Sequence, residues 1–361
     1  RLIFVGGYEH KSHDGINKKI SDITNIKSGV IVTSNSDQII KKADVLVENF
    51  RPGTIDTMGF GYEELSKINE QLVYASTSGF GHTGPYRDRG AVDIIVQGMG
   101  GVMSTTGHES DPLPSRVGYS IGDMAAGIYT SIGVLSALVE RGTSGKGQHV
   151  DVAMLDTQVA LLENLVIRHL GTGEIQPRVG LRSPNYTPHQ ALPASDGWIV
   201  LAGVKDDNWQ LFCGMIGADE LAIDERFANN QLRTQNYKEL EPLLFQVMSK
   251  KTKSEWIEIL SEHFLIGPMN NIAEMAQDPQ VNHRNMIVDV PTWTGGSLKV
   301  SNTPVKHSRT LGGAIKGASK PGEHTNEILE TVGFSREEIQ SFIERETIRT
   351  EPYVGENQLK R

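Results

Sequence analysis

The chain has 361 residues, with 35 Lys and Arg against 44 Asp and Glu, a formal charge of −9, and one cysteine, Cys213. A lone thiol forms no internal disulfide, which excludes the disulfide-stapled secreted class and cysteine-cluster metal sites. The acidic balance argues against a general nucleic-acid binder, which needs phosphate-neutralising Lys/Arg patches.

At about 150 residues per domain the length corresponds to about two domains. The chain opens RLIFVGGYEHKSHDG, with no Met, no apolar signal segment and no Arg-rich transit pattern. The expectation is a cytoplasmic protein, with the mitochondrion as the alternative because no targeting region is visible. Short β-branched runs follow at 29–33 (GVIVT), 44–48 (DVLVE), 72–76 (LVYAS) and 149–153 (HVDVA), with helical periodicity at 36–42, 62–68 and 124–140 between them. Glycines crowd the connections, as tight strand-to-helix turns require. Alternation of this kind predicts an α/β layer with a mostly parallel sheet. The longest apolar run, 128–139, is broken by Thr130, Ser131 and Ser136 and is shorter than the roughly 18–20 residues that cross a bilayer, so no membrane partner is expected.

The pattern changes near residue 185. Pro184, Pro188 and Pro193 break helices, and Asp196–Gly197 reads as a hairpin turn. Residues 207–275 are helical in period, 285–310 return to strand-like text, and a closing helix over 325–332 stops at Gly333. The expected organisation is a large domain from 1–185, a smaller domain over 190–285, and a segment, 286–361, that returns to the large domain.

Chemistry is sparse by elimination. No HExxH or His/carboxylate triad occurs among the 11 histidines, so no metal is expected. RGTSGKGQHVD lacks the trailing Ser/Thr of a phosphate loop and reads as a glycine turn between helix and strand. GFGHTGP at 79–85 follows a strand and belongs at the strands' carboxyl ends, where open α/β sheets place ligands. No GxSxG elbow is present, and Cys213, within WQLFCGMIG, reads as a packing thiol. Asp123, in GYSIGDMAAGIY at the head of the most apolar helix, has two readings. It can cap the helix, or it can act as a nucleophile with Gly122, Ala125, Ala126 and Gly127 leaving room for an acyl group. Asp151 and Asp156 read as structural.

Several linked motifs together resemble one family. They are ADVLVENFRPGTIDTMGFGYEEL (43–65), GFGHTGPYRDRGAVD (79–93), GMGGVMSTTG (98–107), SIGDMAAGIYTSIGVLSALVERGTSGKGQHVDVAML (120–155), GPMNNIAEMAQDPQV (267–281) and GEHTNEIL (322–329). In this order they resemble the class III coenzyme A transferases, of the formyl-CoA transferase and carnitine CoA-transferase type. The resemblance implies a Rossmann-like large domain with a smaller inserted α+β domain, and an interlocked homodimer. It implies an enzyme that moves CoA from an acyl-CoA donor, succinyl-CoA among them, to a small carboxylic acid. CoA is then a substrate and no further cofactor is needed. Asp123 is the implied nucleophile, forming an aspartyl mixed anhydride and then an aspartyl-CoA thioester. By the same resemblance Lys27, Asn49, Phe50 and Arg51 lie along the CoA path, and Arg89, Gly90, Ala91, Val92 and Asp93 border the same cleft.

Departures from the family bear on these expectations. Thr57 stands where formyl-CoA transferase has a CoA-contacting arginine, and LAGVKDDNW (201–209) replaces its glycine-run loop, so the acid need not be formate or oxalate. Nothing in residues 1–16 resembles the family's opening strand and Ala-Gly-Pro turn, so the first strand is expected to be missing. The related α-methylacyl-CoA racemases need a histidine where this chain has Val92, which leaves two-base chemistry without a partner. A truncated, inactive homologue that binds acyl-CoA or a partner subunit is the other alternative.

Overall fold

The computed structural model describes residues 2–5, 36–293, 295–310, 312–320, 322–345 and 348. The expected strand at 29–33, the His10–His13 pair and Lys27 lie outside the described residues. Packing divides the chain into two units. The first draws on Arg1–Thr105, Pro114–Gln176 and Ala318–Arg361, the second on Thr106–Leu113 and Pro177–Gly317.

The first unit runs β1 (Leu2–Val5), α1 (Ser36–Lys42), β2 (Val45–Glu48), α2 (Thr54–Thr57), α3 (Tyr62–Ile68), β3 (Val73–Ser78), α4 (Asp93–Met99), α5 (Val102–Thr105), α6 (Ile121–Ser144), β4 (His149–Ala153), α7 (Met154–Leu161) and α8 (Glu163–Thr172). Its strands form one parallel sheet in the order β1-β2-β3-β4, with Val45 opposite Val73 and Tyr74 opposite His149. The runs read as strands at 44–48, 72–76 and 149–153 are thus β2, β3 and β4. Successive side chains leave a strand on opposite faces, and the sheet is covered on both. Val45, Val47, Val73 and Val150 pack on Val134, Ala137 and Leu138 of α6. Leu46 and Tyr74 turn the other way, into a cluster with Ile40, Ile55, Leu65 and Leu72. This two-sided burial is clearest in β2, VLVE, where consecutive apolar residues take the place of an alternation with polar ones.

α6 is longer than its apolar run implied. Small residues let it lie close to the sheet: a Cβ on Gly133 would stand 2.6 Å from Val150 Cγ1, and Thr130 Oγ1 meets Thr77 Oγ1 at 2.7 Å. Gly145, at φ 74°, ends the helix, and the glycine turn read from RGTSGKGQHVD leads directly into β4. Gly147 passes so near the start of β3 that a Cβ there would lie 2.0 Å from the Leu72 carbonyl oxygen. Because that neighbour is backbone, Gly147→Ala should cost about 2–3 kcal/mol. Denaturant unfolding of the two proteins checks this, with a clear fall in midpoint expected.

The opposite face of α6 is apolar and open. Met124, Ile128, Ile132, Leu135 and Val139 are each more than half exposed. The 24-residue helix is also long and apolar enough, by length and composition, to cross a membrane, with 28% of its apolar window buried. This corrects the reading of 128–139 alone, because the flanking turns add apolar residues that the central run leaves out.

The second unit is built on an antiparallel sheet of β5 (Gln190–Ala194), β6 (Gly197–Ala202) and β7 (Leu265–Pro268), with β5 and β6 joined through Asp196–Gly197 as expected. Strands β8 (Ile287–Pro291) and β9 (Ser297–Ser301) form a separate hairpin. Its core gathers Leu192, Ile199, Leu201, Trp209, Phe212, Leu240, Leu244, Met248, Trp256 and Leu260. Cys213 is sealed in this core, where burial pushes its thiol up to about 12, so it packs and does not react. The fully buried Arg233 is satisfied by the Thr187 and Phe227 carbonyls and by Asp206 at 2.7 Å. From Ala318 the chain belongs to the first unit again. There Leu329, Phe334, Ile339 and Phe342 pack with Ile39 of α1. The helix Thr325–Val332 ends at Gly333, φ 106°, as its sequence indicates.

Candidate active site

Asp123 is not the cap of α6. The helix begins at Ile121, which places Asp123 in its first turn, and the N-cap residue Ser120 makes no side-chain cap bond to the backbone. The task falls to a carboxylate from another element. Asp93, the buried first residue of α4, accepts the Gly122 N–H at 2.8 Å on Oδ1 and the Gln97 side-chain amide at 2.7 Å on Oδ2. Gln97 Oε1 in turn accepts the Val117 N–H at 2.9 Å, which fixes the segment leading into α6. Glycine is required at 122, since a Cβ there would lie 2.7 Å from Val96 Cγ2 and 3.0 Å from Asp93 Oδ1. Asp93 therefore anchors the helix start, and Asp123 stays exposed at its mouth.

The electrostatics differ from a simple helix-dipole picture, in which the first turn only favours the ionised form. Partial loss of water raises the Asp123 carboxyl above the ordinary aspartate range, the Asp93 charge raises it further, and the Ser120 hydroxyl pulls it down. A carboxylate made more basic in this way, with small neighbours and open access, suits nucleophilic attack.

Two segments at the carboxyl ends of β2 and β3 meet nearby. In the first, Asn49 and Arg51 are exposed and Phe50 is half-buried. In the second, Arg89 lies over the rings of Tyr86 and Phe80, 4.5 Å and 5.5 Å from their centroids. The segments touch: the Arg51 guanidinium lies against Gly90, where a Cβ would be 3.0 Å from Nη2. Ala91 packs against Gly79, and a Cβ on Gly79 would fall 2.3 Å from the Ala91 Cβ. Val92 sits at the N-cap position of α4, 62% exposed. An isopropyl group there takes no proton, so a second acid–base group opposite Asp123 is not supplied by this position. The structure thus connects Arg51 to Gly90 and, through Asp93 and Gly122, to Asp123, all within the first unit. Lys27 lies outside the described residues.

Some residues of this region were given no site role by the sequence, although most lie within the motifs. Glu48, the last residue of β2, is 1% exposed and its Oε2 accepts the Phe50 N–H at 2.8 Å. Asp151 on β4 accepts the His82 N–H at 2.9 Å, and Ser76 on β3 bonds His149 of β4 at 2.8 Å. The one sequence signal for them is position, because each ends or adjoins a parallel strand. Among the described residues no group of three or more His, Cys, Asp or Glu side chains is placed to hold a metal ion.

Comparison with known proteins agrees on one family. Residues 35–325 match the pattern of CoA-transferase family III. The acetyl-CoA:oxalate CoA-transferase of Acetobacter aceti is 40% identical over 273 residues, covering 75% of this chain and 69% of that protein. The succinate–glutarate CoA-transferase of Agrobacterium fabrum is 34% identical over 323 residues, covering 89% of this chain and 80% of its own length. Among solved structures, a CAIB/BAIF family protein from Brucella suis superposes with a TM-score of 0.75 at 34% identity, covering 84% of this chain and 80% of that one.

Proposed function

We propose a reaction course from a plain premise: this chain belongs to CoA-transferase family III and is a CoA-transferase. An Asp123 carboxylate oxygen attacks the donor thioester carbonyl; the C–S bond breaks, CoA thiolate leaves, and a mixed anhydride joins Asp123 to the donor acyl group. The thiolate then attacks the aspartyl carbonyl and expels the donor as its carboxylate, leaving CoA on Asp123 as a thioester. The acceptor carboxylate attacks that thioester and releases the thiolate. Finally the thiolate takes the acceptor acyl group and frees Asp123. Each step exchanges thioester for anhydride or the reverse, so one difficult transfer becomes several easier ones.

The observation that carries this reading is the division of labour at α6. Asp93 holds the helix start, and the exposed Asp123 is left without a capping role. Arg51 and Arg89 offer guanidinium forks to CoA phosphates, with Asn49, Phe50 and 90–92 beside them. The donor is succinyl-CoA, in keeping with relatives named for it, and the acceptor is a small carboxylic acid. A panel of acids incubated with succinyl-, acetyl- or formyl-CoA, read by mass spectrometry of new thioesters, tests this. New acyl-CoA from at least one acid is the expected result, and none from any pair would end the reading.

A second copy of the chain covers the open face of α6 in the homodimer that the family resemblance implies. Five apolar side chains, more than half exposed along one helix, form the kind of apolar patch that marks an interaction surface. Light scattering should give twice the mass of the chain. Leu135→Glu should shift the mass toward that of one chain, and a wild-type monomer would contradict the proposal.

A further inference from the structure

Beneath the two arginine-bearing segments lies a buried pair of groups that the reaction course leaves unused. Glu48 Oε1 and His82 Nε2 face each other at 3.6 Å, with 1% and 17% of their side chains exposed. Neither atom has a hydrogen-bond partner among the described residues. That separation is too long for a hydrogen bond but close enough for a strong charge interaction away from water. Glu48 also holds the first segment directly, through the Phe50 N–H. His82 sits in the second, whose backbone is fixed on the other side by Ser78 at Gly81 and by Asp151 at His82.

We propose that Glu48 and His82 are a positioning pair: an imidazolium and a buried carboxylate that lock the segment after β2 to the segment after β3, and so set Arg51 and Arg89 for CoA. This rests on the CoA-cleft reading above. A buried carboxylate deprived of its cation is costly, so loss of the His82 proton removes the tie and leaves Glu48 with the Phe50 N–H. The surroundings favour the charged form of the histidine. Glu48 is the main cause raising His82, burial opposes it, and the charges of Asp151 on β4 and Asp56 on α2 add to it. His149, its ring centroid 5.4 Å from that of His82, is driven down by burial and by the His82 charge, so it is the neutral member. It stacks on Tyr62 and meets Tyr74 edge-on. A histidine raised in the folded state contributes fully below the ordinary value near 6.5, and its contribution fades as pH climbs through the raised value. The tie therefore loosens on the alkaline side.

CoA itself is the probe, titrated by calorimetry from pH 6 to 9 against wild type, His82→Gln, Glu48→Gln and Arg51→Gln. Wild type should lose about fivefold more affinity over this range than His82→Gln. The phosphate monoester of CoA, titrating near 6, and its thiol, near 8.5, act alike on both proteins and cancel in the comparison. In parallel, the His82 imidazole midpoint, followed by NMR, should fall in Glu48→Gln. An unchanged midpoint, or parallel pH profiles for wild type and His82→Gln, overturns the pair. Arg51→Gln should weaken CoA at every pH. If it does not, the cleft reading fails, while the imidazole titration still decides the ion pair. Should Glu48→Gln not fold, His82→Gln decides alone, since its amide is near the size of the ring it replaces.

Discussion

Asp123→Asn should lower turnover by on the order of 10⁶-fold, the scale of removing a covalent nucleophile. The amide keeps the size of the side chain but offers no anionic oxygen to the thioester. Stability should hardly change, because Asp123 is exposed and the start of α6 is held by Asp93 through the Gly122 N–H at 2.8 Å. That combination separates a nucleophile from a cap: a capping aspartate would lose stability first, by about 1 kcal/mol, and activity only as a consequence. Initial rates with the best donor and acceptor pair, alongside a thermal melt, measure both. Wild-type exchange by the variant would remove Asp123 from the chemistry.

Asp93 should be the next most sensitive position, for a different reason. Asp93→Ala leaves the Gly122 N–H and the Gln97 amide without their buried acceptor, a loss of about 1–3 kcal/mol in stability. The helix start that carries Asp123 then shifts, and misplacement of that kind costs about 10²-fold in rate. Asp93→Asn asks a finer question, because it keeps an acceptor for Gly122 and removes the charge. Partial desolvation and then the Asp93 charge raise Asp123, and attack needs Asp123 ionised. Activity therefore falls as pH drops through a value above the ordinary aspartate range. Without the neighbouring charge that value falls, and the acid limb of the rate profile should move to lower pH. A limb that stays in place or moves upward would show that Asp93 does not tune the nucleophile.

The layered architecture was legible because it rests on local pattern. The runs ending at Glu48, at Ser78 and at Ala153 are short and carry β-branched residues between turn signals, and helices such as Ser36–Lys42 and Tyr62–Ile68 show a clean helical period. Strand β1, a four-residue run with no flanking motif, was not; its pairing with β2 is a long-range property. The same division holds at the site. ENFRPG, GFGHTGP and SIGDMAAG identify the segments, but not what each side chain does there. Asp123 could be read as a cap because its replacement in that role, Asp93, lies 29 residues from Gly122 along the chain. Glu48 and His82 meet only because parallel strands bring their carboxyl ends side by side, and neither residue type at its position signals the other.

In the proposed reaction course Asp123 carries CoA covalently between two half-reactions. Rapid acid quench during turnover with succinyl-CoA, followed by digestion and mass mapping, tests it directly. The peptide containing Asp123 should gain the mass of CoA less water, hydroxylamine should remove it, and Asp123→Asn should never acquire it. An adduct on a different side chain, or an unmodified peptide from an enzyme shown to be turning over, would contradict it.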